Sequence, residues 1–342
     1  MPESKRLTQF RRIALAAALL ALCVIVLGAW VRLSDAGLGC PDWPGCYGHF
    51  TAGSAAENAD SVNAAFPQRP IEYHKAVKEM VHRYFASTLG FLILVLAAFA
   101  IANRHDPLQP VKLPVFLVAL VIFQGLLGMW TVTLLLKPLI VVLHLLGGLS
   151  TFALLAWLAM KRTREDHRAV PERAPPATAK YISLPALALA GLVVLGLQIS
   201  LGGWTSSNYA ALACPDFPTC QNSYWPEMDT KDAFVLWRGL GIDYEGGVLN
   251  HPARVAIHFA HRLGAVLAAI VLGALAFRAW RFGETTTLRK AGALLGIVLI
   301  VQLLLGPLMV VRALPLSLAT AHNGVAALLL LMVVRVNRLA RS

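Results

Sequence analysis

The chain has 342 residues, of which 57% are hydrophobic and only 14% are charged, and its formal net charge is +12. Soluble domains usually carry about a quarter charged residues, so this composition excludes an ordinary soluble protein. The basic residues cluster at the ends of apolar segments, which is not the distribution of a nucleic-acid-binding protein.

Eight apolar runs follow one another along the chain. Each is long enough to cross about 30 Å of hydrocarbon as a helix. They cover residues 13–31, 84–102, 113–136, 138–160, 181–204, 255–277, 291–311 and 313–334. We therefore predict an all-α membrane protein with eight transmembrane helices.

The basic residues indicate which side each connection faces. If the termini and every second connection lie in the cytoplasm, these segments hold 19 of the 30 lysines and arginines. Basic residues are usually in excess on the cytoplasmic side, so both termini are predicted to be cytoplasmic. The positive charge then reflects topology and contact with anionic lipid, and no nucleic-acid partner is expected.

The connections divide the chain into two parts. Two long loops, residues 34–80 and 205–254, are predicted on the outer side, and a charged, proline-bearing segment lies between the halves. We predict an N-terminal four-helix bundle over 1–165, a cytoplasmic linker over 166–180 and a C-terminal four-helix bundle over 181–342.

The two halves are copies of one another. The segment Cys40–Cys46 recurs as Cys214–Cys220 at an offset of 174 residues. His82 recurs as His261 at an offset of 179, and His144 recurs as His322 at 178. Chance does not produce such an ordered set. Because each half begins on the cytoplasmic side, the two bundles are predicted to be parallel repeats.

Four histidines hold equivalent positions near the outer ends of the even-numbered spans: His82, His144, His261 and His322. Two imidazoles that face each other across a four-helix bundle are what axial haem ligation requires. For any one of them, a hydrogen bond to a neighbouring helix is the plainer interpretation. Zinc is disfavoured because neither half adds a third ligand of the usual kind. Two haem sites near the outer face are therefore predicted.

One position breaks the symmetry between the halves. Glu79 precedes His82 by three residues and shares its helix face, whereas His258 precedes His261. A carboxylate beside a haem edge can act as a base or stabilise positive charge on a substrate carbon. The alternative is an acid that complements the start of the helix dipole. We predict that Glu79 is catalytic, with Glu72 a lesser candidate.

Two arginines directly follow the first histidine of each half. Arg83 and Arg262 are candidates to pair with haem propionates. The alternative is that they snorkel to the membrane interface.

The paired cysteines lie in the outer loops, which face the oxidising side in a bacterium. Five residues with two prolines separate the members of each pair, a loop that a disulfide could close. A structural staple and a labile redox pair both fit this pattern.

Taken together, these motifs resemble the haem A synthase family over essentially the whole chain. The resemblance implies that the ring methyl of haem o at C8 is oxidised to a formyl group, giving haem a for cytochrome oxidase assembly. It further implies hydroxylated intermediates and product oxygen that comes from water. The electron acceptor is not indicated.

The resemblance also assigns roles to residues. It implies that His82 and His144 hold the substrate haem o, and that His261 and His322 ligate a haem b cofactor. Glu79 falls on the family's catalytic glutamate. The cysteines fall on its loop disulfides, Cys40–Cys46 and Cys214–Cys220.

The same resemblance bears on partners and location. It implies an oxidoreductase of the bacterial inner membrane that works with haem o synthase and cytochrome oxidase assembly factors, with a homo-oligomer as one option. The alternative function is a di-haem electron-transfer cytochrome. The crowding of all four histidines at one face disfavours that function, because such carriers commonly need haems near both faces. A thiol oxidoreductase is a third interpretation, and it leaves the histidines without a role.

Overall fold

The computed structural model describes residues 4–160 and 182–341, and the predicted linker 166–180 lies outside them. Within the described residues, eight helices are long and apolar enough to cross a membrane, which confirms the predicted all-α fold class. They are α1 (Lys5–Leu33), α4 (Tyr73–Ala102), α5 (Lys112–Thr133), α6 (Pro138–Ala159), α7 (Leu184–Ser207), α9 (His251–Phe282), α10 (Thr286–Val311) and α11 (Leu316–Leu339). Short helices α2 (Ala52–Glu57), α3 (Ala59–Ala65) and α8 (Thr230–Ala233) lie in the long connections.

Small residues allow the first helix to pack at the centre of the molecule. Ala14, Ala17, Ala18 and Ala21 recur at helical spacing on α1 and are buried. Small side chains let helix backbones approach closely in a membrane, where apolar burial alone drives little association. Accordingly, α1 packs against α4 and α6 of its own half and against α11 of the other half. Its counterpart α7 packs against α9, α11 and α6.

The second span begins earlier than the sequence suggested. A loop was predicted to residue 80, but α4 starts at Tyr73, so Glu79 lies in its second turn. The polar residues of this extension are compatible with a helix because they have partners. Lys75 pairs with Glu72 at 2.8 Å, and Lys78 lies over the Trp30 ring at 5.2 Å from its centroid.

The second long connection reaches across to the N-terminal half. Lys137, between α5 and α6, is buried beneath it and lies 3.5 Å from the centroid of the Trp237 ring. Arg69 of the first long connection binds Asp243 at 2.5 Å and Glu245 at 2.9 Å. The two halves are therefore joined at this end by charged contacts as well as by helix packing.

Candidate functional site

The four predicted histidines lie on α4, α6, α9 and α11 and form two pairs. His82 lies near His144, and His261 lies near His322. The Nδ1 atoms of His82, His144 and His322 are buried. Backbone carbonyls on neighbouring helices accept a hydrogen bond from the rings of His82 and His144. The pairs thus lie within the helical bundles.

Each of these rings lies against a glycine on a neighbouring helix. A Cβ atom built on Gly28 would come within 2.9 Å of the His82 ring, and one on Gly202 within 3.2 Å of the His261 ring. The corresponding distances are 3.5 Å from Gly128 to His144 and 3.7 Å from Gly306 to His322. At Gly28 and Gly202 a side chain would force the ring to move. The missing Cβ atoms leave room for the imidazoles, which sequence spacing alone did not indicate.

Buried glutamine side chains also reach the histidines. The Gln198 Nε2 atom lies 3.1 Å from Nδ1 of His261 and 3.1 Å from the backbone oxygen of His261. The Gln302 Nε2 atom lies 3.1 Å from Nε2 of His322. Its counterpart Gln124 lies instead against Gly147, where a Cβ atom would collide with it. Glutamine amide nitrogens therefore lie within hydrogen-bonding distance of the imidazoles in the C-terminal half, whereas the Gln124 amide of the N-terminal half lies against a glycine.

Glu79 is 5% exposed, and both of its carboxylate oxygens have donors. The Arg83 guanidinium donates to Oε1 at 2.5 Å, and the backbone N–H of Cys40 donates to Oε2 at 2.9 Å. These contacts favour the ionised carboxylate. Because Glu79 lies beyond the first turn of α4, the simple role of complementing the start of the helix dipole does not fit it.

His258, the counterpart of Glu79, contacts a hydrogen-bond acceptor of the neighbouring loop, whereas Glu79 contacts a donor. His258 is 4% exposed, and its Nδ1 lies 3.0 Å from the backbone oxygen of Ala210. Glu79 accepts from a loop N–H, whereas the His258 ring meets a loop carbonyl. Both side chains hold the neighbouring loop to the helix, but among the described residues only the N-terminal half has a carboxylate beside its histidine pair.

Arg83 and Arg262 each hold one cysteine loop. Arg83 donates to the carbonyls of Asp42 at 3.0 Å and Pro44 at 3.2 Å, and also to that of Gly45. Arg262 donates in the same way to the carbonyls of Cys214 at 2.9 Å, Asp216 at 2.7 Å and Thr219 at 2.7 Å. Sequence reasoning missed this function. The recurrence of an arginine at the same place in both repeats was the signal that could have revealed it.

Both cysteine pairs are disulfide-bonded in the structure, Cys40 with Cys46 and Cys214 with Cys220. All four residues are at most 1% exposed. Thiol–disulfide exchange needs access of a thiolate to a sulfur atom, so this burial favours a structural role over a labile redox pair.

The donor set of each half fits a haem. Two neutral imidazoles can serve as axial ligands to iron, and glycines leave space beside both rings. The backbone carbonyls beside the rings of His82 and His144 are acceptors of the kind that the Nδ1–H of a ligating imidazole needs. Gln302 lies at Nε2 of His322, so this amide must turn aside for a ligand to bind there.

Comparison with known proteins covers nearly the whole chain. A family model described as "COX15-CtaA: Cytochrome oxidase assembly protein" matches residues 11–334. A curated relative from Shewanella oneidensis, called heme A synthase, is 46% identical over 97% of this chain and 96% of its own length. Proteins of the same name are 26% identical in Rhizorhabdus wittichii, over 92% of this chain and 88% of the relative, and 27% identical in Caulobacter vibrioides, over 92% and 90%.

Proposed function

The chain belongs to the COX15-CtaA family of cytochrome oxidase assembly proteins, and from this premise we propose that its two halves divide the conversion of haem o to haem a between them. It is a multi-pass membrane oxidoreductase that acts in haem a formation. The N-terminal half binds and oxidises haem o, and the C-terminal half holds a haem b that passes electrons on.

One observation carries this division. The halves have equivalent histidine pairs, but within residues 4–160 and 182–341 a buried carboxylate lies beside only one pair. Glu79 is three residues from His82 on α4, whereas His258 holds the equivalent place on α9. Symmetric conduction of electrons would not need a carboxylate in one half alone.

The reaction at the N-terminal half has a simple balance. Conversion of the C8 methyl group to a formyl group removes four electrons and four protons and adds the oxygen of one water molecule. His82 and His144 hold the substrate by its iron. Glu79, which accepts hydrogen bonds from Arg83 and the Cys40 N–H, accepts protons or stabilises positive charge on the substrate carbon.

The C-terminal half supplies the redox cofactor. His261 and His322 would hold a haem b, which would supply a route for electrons from the substrate towards an acceptor. Pairing of Arg83 and Arg262 with propionates stays a prediction. The hydrogen bonds of both arginines to loop carbonyls give them a second function, because they fix the loops beside the sites.

The parallel-repeat architecture, with bundles over 1–165 and 181–342, belongs to the proposal as well. It is supported by equivalent disulfides and by contacts between equivalent residues. Arg32 donates to the carbonyl of Ser206, and Tyr209 donates to Asp35, each pair being separated by the 174-residue offset. Neighbouring equivalent residues are expected where a pseudo-twofold axis passes between two repeats.

The location in the cell follows from the same proposal. We place both termini in the cytoplasm of a bacterium and both haem sites near the outer face of the inner membrane. Haem o synthase supplies the substrate, and assembly factors of cytochrome oxidase receive the product.

Pigment analysis tests the function directly. The chain is expressed with a haem o-producing enzyme in cells that otherwise lack haem a, and the extracted haems are separated by chromatography. We expect haem a and hydroxylated haem o in these cells and only haem o in cells without the chain. Haem o alone, together with two stable haems b in the purified protein, would contradict the proposal and favour the di-haem electron carrier.

A further inference from the structure

A buried amide lies about one helical turn from the histidine pair of the N-terminal half. Gln124 of α5 is 9% exposed, and its Nε2 atom has no hydrogen-bond partner among the described residues. Buried amides normally have partners, because an unpaired donor gives up its hydrogen bonds to water without replacement. A buried donor of this kind beside a ligand site points to a polar group of the ligand.

Contacts between α5 and α6 place this amide close to the His144 ring. The backbone carbonyl of Gln124 accepts a hydrogen bond from that ring, and a Cβ atom on Gly128 would lie 3.5 Å from it. The Gln124 side chain lies against Gly147, which follows His144 by three residues on α6. At a rise of 1.5 Å per residue, the amide is therefore about 4.5 Å further along the helix axis than His144.

A glycine provides the room for this amide, and the C-terminal half has no glycine at the equivalent place. A Cβ atom on Gly147 would collide with Nε2 of Gln124, so a larger residue fits there only if the amide moves. At the repeat offset of 178 residues, the C-terminal half keeps the glutamine as Gln302 but has Val325 in place of the glycine. The Gln302 amide lies instead 3.1 Å from Nε2 of His322. An amide at this position of the repeat can therefore reach the haem site, and Gly147 forms a recess for it in the N-terminal half.

The substrate of the proposed reaction has one polar group that haem b lacks. Haem o has a hydroxyl group on the first carbon of its prenylated C2 substituent, where haem b has a vinyl group. A hydroxyl group both donates and accepts, so it pairs with a carboxamide in either orientation of the amide. C2 lies at the edge of the porphyrin opposite the two propionates, whereas C8 lies next to one of them.

The height of the amide in the bundle agrees with this distribution of groups. Glu79 precedes His82 by three residues on α4, which places it towards the cysteine loops. Gly147 follows His144 by three residues on α6, which places the amide on the far side of the histidine pair. A haem o whose C2 hydroxyl group contacts Gln124 would therefore have its C8 methyl group on the side of Glu79.

We propose that Gln124 is a specificity-determining residue that binds the C2 hydroxyl group of haem o beside the recess formed by Gly147. The inference rests on the proposed function, in which the N-terminal half holds haem o. The contact fixes one edge of the porphyrin and leaves the C8 methyl group towards Glu79. It also selects haem o over haem b, because a vinyl group leaves the buried amide unpaired.

Two haems without prenyl tails separate the hydroxyl contact from hydrophobic binding. Iron haematoporphyrin has hydroxyethyl groups at C2 and C4, and iron mesoporphyrin has ethyl groups there. Each is titrated into the purified full-length protein with haem b in its C-terminal half, and the Soret absorbance gives both dissociation constants. Gln124→Met keeps the length of the side chain and removes the amide. We expect the ratio of the two constants to shift about fivefold against iron haematoporphyrin in this variant.

Gln302→Met is the matched control, because it removes the equivalent amide from the other half. It should keep the ratio of dissociation constants of the unchanged protein. A ratio in Gln124→Met equal to that of the unchanged protein would overturn the inference, and so would an equal shift in the two variants.

A second pair of variants decides the question if Gln124→Met cannot be purified. Gly147→Ala should produce the same shift, because its Cβ atom displaces the amide from the recess. Gly148→Ala places a Cβ atom 4.0 Å from Oε1 of Gln124, an ordinary contact, and should leave the ratio unchanged. An unchanged ratio in Gly147→Ala, or equal shifts in both alanine variants, contradicts the inference.

The two proposals fail in different ways. If both haems bind equally well after His82→Ala with His144→Ala, the assignment of the N-terminal site itself is wrong. If these substitutions abolish binding but the Gln124 and Gly147 variants keep the ratio of the unchanged protein, only the role of Gln124 is wrong.

Discussion

The N-terminal and C-terminal halves share one scaffold, to which the proposed function gives two purposes. Both place histidines on their second and fourth long helices against glycines, and both hold a disulfide loop with an arginine. They diverge beside the histidines. The N-terminal half has the Glu79 carboxylate where the other has His258, and the C-terminal half has the Gln198 amide where the other has Val24.

This comparison shows how a duplicated fold can separate two tasks. The shared residues explain binding, because an imidazole pair and its glycines serve any haem equally well. In the proposed function, the carboxylate of Glu79 marks the half that alters its haem. A carboxylate can serve proton transfer and charge stabilisation. Each prediction below therefore changes a residue in one half and compares the result with the other.

Among all the substitutions, one at Glu79 is expected to have the largest effect on formation of haem a. Glu79→Gln keeps an acceptor for the Cys40 N–H but removes the charge that pairs with Arg83. Formation of haem a should fall by about 10²–10⁴-fold, the usual contribution of a general base, while the content of haem b stays the same. Chromatography of extracted pigments measures the first quantity, and the low-spin absorbance of the purified protein measures the second.

Glu72 supplies the matched control for this variant. It is an exposed residue paired with Lys75 on the surface, seven residues before Glu79. Glu72→Gln should retain full formation of haem a. A similar loss in both variants would mean that negative charge near the start of α4 matters in general, and the specific role of Glu79 would be wrong.

Removal of either disulfide is expected to have a smaller effect, and the quantity affected should differ between the two halves. Each closes a loop with a sequence separation of 6, which stabilises the fold by about 2 kcal/mol in the chain-entropy model. Cys40→Ser with Cys46→Ser loosens the loop whose N–H binds Glu79, so formation of haem a should fall about tenfold.

The equivalent change in the other loop should affect a different quantity. Cys214→Ser with Cys220→Ser loosens the loop held by Arg262, next to His261, and should speed the loss of haem b. Formation of haem a and content of haem b are measured for both double variants. We expect the first quantity to fall when the N-terminal disulfide is removed and the second to fall when the C-terminal disulfide is removed. Equal effects of the two pairs on both quantities would show that the loops only stabilise the fold.

Substitution of the glycines beside the histidines should have a several-fold effect. Gly28→Ala places a Cβ atom within 2.9 Å of the His82 ring, and Gly202→Ala places one within 3.2 Å of the His261 ring. A displaced side-chain torsion costs about 0.5–1.5 kcal/mol, so we expect a loss of about twofold to tenfold. Gly28→Ala should reduce product formation, and Gly202→Ala should reduce haem b content.

Other glycines provide the control for this experiment. A Cβ atom on Gly125 of α5 or on Gly196 of α7 would meet nothing within 4 Å. Gly125→Ala and Gly196→Ala should therefore match the unchanged protein in both quantities. If they are as harmful as the two variants beside the histidines, the effect comes from helix packing and not from the ring positions.

The smallest expected effect concerns the stability of the C-terminal cysteine loop at acid pH. Donation from Thr219 to Asp216, with help from the backbone N–H groups of Asn222 and Gln221, lowers the pKa of Asp216 from 3.8 to about 2. The N-terminal loop has Gly45 at the place of Thr219. Because the pKa is lower in the folded state, this stabilisation is present above pH 4 and is lost as pH falls through about 2.

Thermal unfolding across this pH range measures the contribution. Asp216→Asn should unfold at a lower temperature than the unchanged protein at pH 5, and the difference should shrink as pH approaches 2. A difference that is constant from pH 5 to pH 2 would show that the carboxylate charge is not involved.

Sequence reasoning captured the membrane class and the eight spans because apolar length is a strong and local signal. It also brought His82 and His144 into one site, since the repeat fixed equivalent heights on neighbouring helices. It misplaced the start of α4 because the first turns of that helix are polar and only tertiary partners explain them. Lys75 and Lys78 have such partners, which hydropathy cannot reveal.

The side-chain contacts could not be read from the sequence for a related reason. The contact of Gln198 with His261 joins α7 to α9, and its room depends on Gly264. Rotamers and close approaches of this kind are set by packing between distant segments. The repeat could have revealed them, because Val24 and Phe85 depart from the copy together.

Haem content of the two half-site variants tests the division of labour most directly. His82→Ala with His144→Ala, and His261→Ala with His322→Ala, are purified from cells that produce haem o, and their bound haems are extracted and separated. The account predicts haem b without haem o or haem a in the first protein, and haem o without haem b in the second. The reverse distribution, or the same haems in both proteins, would contradict it.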